Sequence, residues 1–228
     1  MMLCNKASII SKQIKSFLLI ISLSLTITSG LISCNNNSQN FGKIEQKNHN
    51  LQGRLLQKPL IKNNVELFDS KGNIFSLEQD TRNHLTLIAL GYTSCPDICP
   101  LHMSVLAGAY SNLPIDMQRK TKVIFISTDP ERDNKKITNW AQSFNKDFIG
   151  LTGTPENLIK FQNELNIPPA VLEKNEDNNS NYAVSHATWI TVFTDDNIAH
   201  FIYPIGITQR EWVQDLKLLN NNEWKIKK

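Results

Sequence analysis

The sequence predicts an α/β fold with a central mixed sheet flanked by helices, and three observations predict it. Two continuous apolar runs, "LTLIALGY" at 85 to 92 and "KVIFIST" at 122 to 128, have the length and character of buried central strands. Helical stretches follow each of them, and strands alternating with helices imply parallel pairing. A last pair of runs, "ATWITVF" and "IAHFIYP", flanks Thr194 to Asn197 and reads as a closing antiparallel hairpin.

The elements follow in order. "VELFDSKGNIFSL" holds two short alternating runs around Asp69 to Gly72, an N-terminal β-hairpin. The apolar run at 85 to 92 enters the loop "TSCPDICP", and "PLHMSVLAGAYSNL" then opens a helix with Pro100 at its first position, where a missing N–H is harmless. That register places Cys99 at the N-cap. After the second central strand, "NKKITNWAQSF" reads as a helix, "FIGLTG" as a short strand, and "PENLIKFQNEL" as a helix opened by Thr154 and Pro155. "TQREWVQDLKLL" is a final amphipathic helix, and the polar run "EKNEDNNSN" at 173 to 181 reads as a loop, either a lid or a solvated insertion.

The remaining sequence sets the context. Residues 1 to 15 carry Lys6, Lys12 and Lys15 without an acid, and "SFLLIISLSLTITSGLIS" follows as an apolar run, the layout of a secretory signal. The chain is therefore expected to be exported. "LISC" at 31 to 34 resembles a lipoprotein cleavage site, so residues 1–33 are expected to be a lipoprotein signal peptide. Cys34 is then the lipidated N-terminus that anchors the chain to the bacterial cell membrane, with the domain facing the periplasm or cell exterior. Residues 34–54 are polar at first and poor in aliphatic side chains, which suits a flexible tether. The domain is assigned to residues 55–228. A net charge of +3 with scattered lysines, and no basic stripe with interleaved aromatics, argues against nucleic-acid binding.

Of the four cysteines, Cys4 and Cys34 lie in the leader, which leaves Cys95 and Cys99 to the domain. Two thiols in C-x-x-x-C, one at a helix start and one in the loop before it, can converge on one point. Both a disulfide and a shared metal ion suit that arrangement. The helix N-terminus favours negative charge, so Cys99 is expected to be the readier thiolate. A central strand running into a cysteine loop and then a helix, closed by a hairpin and a helix, is the thioredoxin layout, although thioredoxins use C-x-x-C.

"GYTSCPDICP", "ISTDPERD" at 126 to 133, "GLTGTPENL" at 150 to 158 and "YAVSHATWI" at 182 to 190 together resemble the Sco/SenC family across the whole domain. These are membrane-tethered, thioredoxin-like copper proteins that serve cytochrome c oxidase assembly. The resemblance implies a thioredoxin-like fold, one copper ion held by Cys95, Cys99 and His186, and a partner in the copper-centre subunit of the oxidase. The chemistry agrees with it: thiolates are soft donors that select Cu(I), and an imidazole completes a site with open positions. Two residues depart from the family pattern, Ser185 where aspartate precedes the histidine and Ser94 where histidine precedes the first cysteine. A serine at 185 would orient a bound imidazole less firmly.

The other histidines are weaker candidates. His84 and His200 sit beside or within strands and read as structural or exposed, while His102, three residues after Cys99, lies one helical turn from the site. Asp129 lies at the carboxyl end of the second central strand, where active groups of such sheets gather; it reads equally as a turn residue before Pro130. Asp97 reads as a turn residue. Three function classes follow: a copper carrier; a thiol-disulfide oxidoreductase that reduces the cysteines of the oxidase copper site; and a copper sensor or peroxide-defence protein. A peroxidatic role is the weakest, because Tyr92 stands where the T-x-x-C motif needs threonine.

Overall fold

The computed structural model describes residues 51–62, 64–175 and 178–225. The expected signal peptide, Cys34 and most of the expected tether lie outside these residues. Residues 51–54, at the end of that expected tether, include Leu51, which is 5% exposed, and Gln52, whose backbone N–H donates to Asp215 Oδ2 at 2.7 Å. Among the described residues no helix is long and apolar enough to cross a membrane.

Six strands form the main sheet. In chain order they are β1 (Arg54–Ile61), β4 (Leu85–Gly91), β5 (Thr121–Ser127), β6 (Ile149–Leu151), β9 (Ile190–Phe193) and β10 (Ile198–Tyr203), arranged in space as β1-β10-β9-β4-β5-β6. β4 pairs parallel with β5, and β5 with β6, while β9 is antiparallel to β4 and to β10. The sheet is therefore mixed, as expected. Every residue of β4 is buried, which accounts for its unbroken apolar run. Leu87 and Ala89 face one side and Ile88 and Leu90 the other, the period-two alternation of a strand.

Helices cover both faces. α2 (Ile98–Ser111), α5 (Ile137–Phe144) and α7 (Gln209–Asn220) pack with Leu87, Val123, Phe125 and Val192. On the other face α6 (Pro155–Glu164) packs Leu158 and Phe161 against Ile88, Ile124 and Ile126, together with Leu67 and Leu77. Short helices α1 (Leu77–Asp80), α3 (Ile115–Arg119) and α4 (Pro130–Asp133) complete the set. Thr154 caps α6 by accepting from the Asn157 N–H, as its sequence position predicts. α7 opens with a full capping box between Thr208 and Glu211.

Two small sheets lie outside the main one. β2 (Glu66–Phe68) and β3 (Ile74–Ser76) are the expected N-terminal hairpin, with Asp69 accepting from Lys71 and Asn73 across the turn. β7 (Val171–Asn175) and β8 (Asn178–Ser185) form a second antiparallel hairpin where the sequence suggested a polar loop. Asparagine-rich sequence has low strand propensity, and here cross-strand pairing overrides it. β1 also lacks a sequence signal. It is an edge strand whose register shifts between Leu55 and Leu60, and this irregularity accommodates Pro59, which has no N–H to give to a ladder.

Candidate metal centre

The site stands at the carboxyl end of β4, where the chain leaves the sheet and turns into α2. The Cys95 N–H donates to the Tyr92 carbonyl at 3.1 Å and closes the turn that brings the first cysteine back over the strand end. α2 begins at Ile98, with Asp97 at its N-cap, so Cys99 lies inside the first turn rather than at the cap expected for it. Its side chain turns inward and is 3% exposed, while Cys95 is half-buried. Gly91 makes this fit possible. A Cβ there would stand 2.5 Å from the Cys99 sulfur and 2.8 Å from the Phe125 ring, so a larger residue would push the sulfur out of place.

His186 arrives from the other side, directly after β8. Its Nε2 lies 3.7 Å from Cys99 Sγ, and its Nδ1 is 2.9 Å from the Ala187 carbonyl. A carbonyl only accepts, so Nδ1 carries the proton and the Nε2 lone pair of the neutral ring faces the sulfur. The ligand atoms of Cys95, Cys99 and His186 all lie within 4.8 Å of one another, the one such group of three or more among the described residues. Both cysteines are free thiols. Among the described residues, two soft sulfurs and one imidazole nitrogen are thus brought to one point, a three-donor group that could hold a metal ion at low coordination number.

The SCO1/SenC family matches this chain over residues 54–220. The chain belongs to that family. An SCO2-like protein of Rickettsia prowazekii is 32% identical over 147 residues, covering 62% of this chain and 69% of that protein. Among solved structures, apo Sco1 of Thermus thermophilus superposes with a TM-score of 0.65 at 27% identity, covering 75% of this chain and 98% of that one. ScoI of Bradyrhizobium japonicum with copper bound superposes with a TM-score of 0.60 at 28% identity, covering 70% and 99%. The thioredoxin-like α/β architecture is common to them.

The electrostatics of this SCO1/SenC site correct one expectation. Burial alone would raise the Cys95 thiol, but hydrogen bonds from the backbone of Asp97, Cys99 and Ile98 and from the Cys99 side chain outweigh it and hold it below the usual thiol range. Cys99 moves the other way. Burial pushes it far up, the Cys95 sulfur and the Asp133 carboxylate add to the rise, and only a hydrogen bond from the Tyr92 backbone opposes it. The free N–H groups at a helix start point back toward the preceding loop, so they serve the residue before the helix and not one already wound into it. The readier thiolate is Cys95. Burial also lowers His186, against a smaller opposing effect of its bond to Ala187, so the imidazole is neutral at pH 7 and its Nε2 is free to donate.

The remaining candidates sort by position. His102 is outside the three-residue group; it is half-buried, and burial, followed by the charge His186 can carry, lowers it. His84 bonds the Arg82 carbonyl, and His200 bonds Asp196 and packs on Trp224, structural roles as expected. Ser94 takes a 3.4 Å contact from Lys136 Nζ, and Ser185 ends β8 opposite Val171. Asp129 is buried and paired with Arg132, and accepts from the Tyr182 hydroxyl at 2.8 Å, so it supports the histidine arm and not the cysteines.

Sequence reasoning missed Asp133. Fully buried, it accepts from the Thr93 N–H at 2.7 Å, the Thr93 hydroxyl at 2.5 Å and the Ser127 hydroxyl at 2.6 Å. It thereby fixes the cysteine loop to the end of β5. The "DPERD" run contained the signal, since a second acid four residues after Asp129 can turn toward the sheet from the short helix α4.

Proposed function

We propose that this chain carries one copper ion between Cys95, Cys99 and His186 and delivers it to the copper-centre subunit of cytochrome c oxidase. The convergence of two sulfurs and a neutral imidazole nitrogen within 4.8 Å is the observation that carries this reading. Thiolate donors favour Cu(I) over harder ions. The copper held by the related Bradyrhizobium protein adds support. With three protein donors among the described residues, an acceptor's ligand can join the metal before a protein ligand leaves. On departure Cys99 regains its proton readily, because its buried environment disfavours the thiolate.

A second reading is favoured by a different observation. One half-buried thiol of lowered pKa beside a buried thiol of raised pKa is the pairing of an attacking and a resolving cysteine. A thiol-disulfide oxidoreductase that reduces the cysteines of the oxidase copper site uses that pair without the imidazole.

The test is a metal and thiol count on the chain from residue 35 onward, reduced and loaded with Cu(I) under anaerobic conditions. One copper per chain is expected, with copper–sulfur scattering in X-ray absorption. A desalted sample without copper ends the reading. His102→Ala is expected to hold copper as the unaltered chain does, and a large loss there would transfer the imidazole role to His102.

The membrane side of the proposal rests on Cys34, within "LISC", as the lipidated anchor. Fatty-acid labelling in cells is expected to mark the unaltered chain and to vanish in Cys34→Ala. Labelling that persists in that variant refutes the lipid assignment.

A further inference from the structure

His186 is held by an arm that has little to hold itself. Among the described residues β7 and β8 pair only with each other, and a two-stranded hairpin is marginal in water without something to pack on. Whatever fastens the hairpin therefore fixes the imidazole.

The fastening lies on the face of β8 that points at the cysteine loop. Alternate residues of a strand share a face, and Tyr182 and Val184, on this face ahead of His186, are 6% and 5% exposed while Ala183 and Ser185 between them are exposed. Tyr182 and Val184 pack with Tyr92 in a small apolar cluster that Cys95 and Ala170 complete. The Val184 backbone hydrogen-bonds the Tyr92 hydroxyl, and the Tyr92 ring meets the His186 ring edge-on with centroids 5.9 Å apart. The Tyr182 hydroxyl donates to the buried Asp129 carboxylate at 2.8 Å. Asp129 is held in turn by Arg132, whose guanidinium stacks 3.7 Å from the Tyr182 ring centroid and stands 5.3 Å from that of Tyr92. Four residues on from Asp129, Asp133 grips Thr93 of the cysteine loop. The segment after β5, Asp129 and the short helix α4, thus holds the cysteine side of the site with one carboxylate and the histidine side with the other.

We propose that Tyr182 is the positioning residue for His186: its hydroxyl on Asp129 latches the hairpin in the docked state, so latching and imidazole coordination are one equilibrium. The latch concerns how His186 is presented, and for copper it rests on the binding reading above.

Tyr182→Phe tests it, because the substitution removes the latching hydroxyl and leaves both the ring and the Asp129–Arg132 pair in place. In the metal-free chain, amide hydrogen exchange in β8 is expected to quicken about tenfold while β4 is unchanged, the effect of losing one hydrogen bond to a charged acceptor. In the copper-loaded chain, loss of Cu(I) to bathocuproine disulfonate is expected to quicken by a similar factor. Adding Tyr182→Phe to His186→Ala is expected to cause no further acceleration, since the latch acts only through the imidazole. Tyr110→Phe removes a partly buried hydroxyl bond far from the hairpin, to the Gln118 carbonyl at 3.1 Å, and is expected to change neither readout.

Exchange in β8 equal to that of the unaltered chain overturns the latch, as does an additive effect in the double variant or an equal acceleration in Tyr110→Phe. Failure of the unaltered chain to hold copper overturns the copper reading instead, and the exchange measurement on metal-free protein still decides the latch.

Discussion

His186→Ala is expected to abolish support of cytochrome c oxidase while the Cys95–Cys99 dithiol still oxidises and reduces reversibly. Thiol-disulfide exchange requires an attacking thiolate and a resolving cysteine, and neither step uses a nitrogen ligand. Copper holding does. Removing the imidazole leaves two sulfurs, and the expected loss of copper affinity is about 100-fold or more, with partial rescue of oxidase activity by added copper. The measurement is oxidase activity in cells carrying the variant, beside a thiol titration of the purified protein. Near-normal activity would refute the carrier role and leave the reductase reading standing.

Cys95→Ser and Cys99→Ser are each expected to abolish copper retention and dithiol chemistry together, yet they differ in other respects. Cys99 is buried against Gly91 and Phe125, so a serine hydroxyl there is taken from water and lowers stability by about 1–3 kcal/mol. The half-buried Cys95 tolerates the change better. In the reduced metal-free chain the lowered Cys95 thiol is expected to alkylate first, with Cys99 protected by burial and by its raised pKa. Because Cys99 keeps its proton at neutral pH in the metal-free chain, copper loading displaces that proton, and retention is expected to weaken as pH falls. Mass spectrometry after brief iodoacetamide treatment reads the order of modification. Modification of Cys99 before Cys95 would reverse the thiolate assignment.

The two cysteines were legible because their spacing in the chain keeps them close in space. The turn from Tyr92 to Cys95 and the first turn of α2 are local structures, with Pro96 between them and Pro100 inside the helical turn. The start of the helix was not legible to the residue. A reading with Pro100 in first position put Cys99 at the cap, and one further half-turn of helix, from Ile98, moved the favourable N–H groups onto Cys95 and buried Cys99. His186 was found through its resemblance to a family pattern, 87 residues from Cys99. Its support was illegible for the same reason of distance: Tyr182 and Asp129 lie 53 residues apart, and no local propensity joins them.

By itself, the sequence determined the α/β class, the central strands, the capped helices and the pair of neighbouring cysteines, since apolar periodicity, caps and residue chemistry act over a few residues. Only the tertiary structure decided the rest. It decided that an asparagine-rich stretch pairs as a hairpin, that an edge strand shifts register near Pro59, which of two thiols is the readier thiolate, and that two carboxylates of one short segment hold both halves of the site. Each of those outcomes depends on burial and on contacts between segments distant in the chain, and the free energy of such contacts exists only once the fold has brought them together.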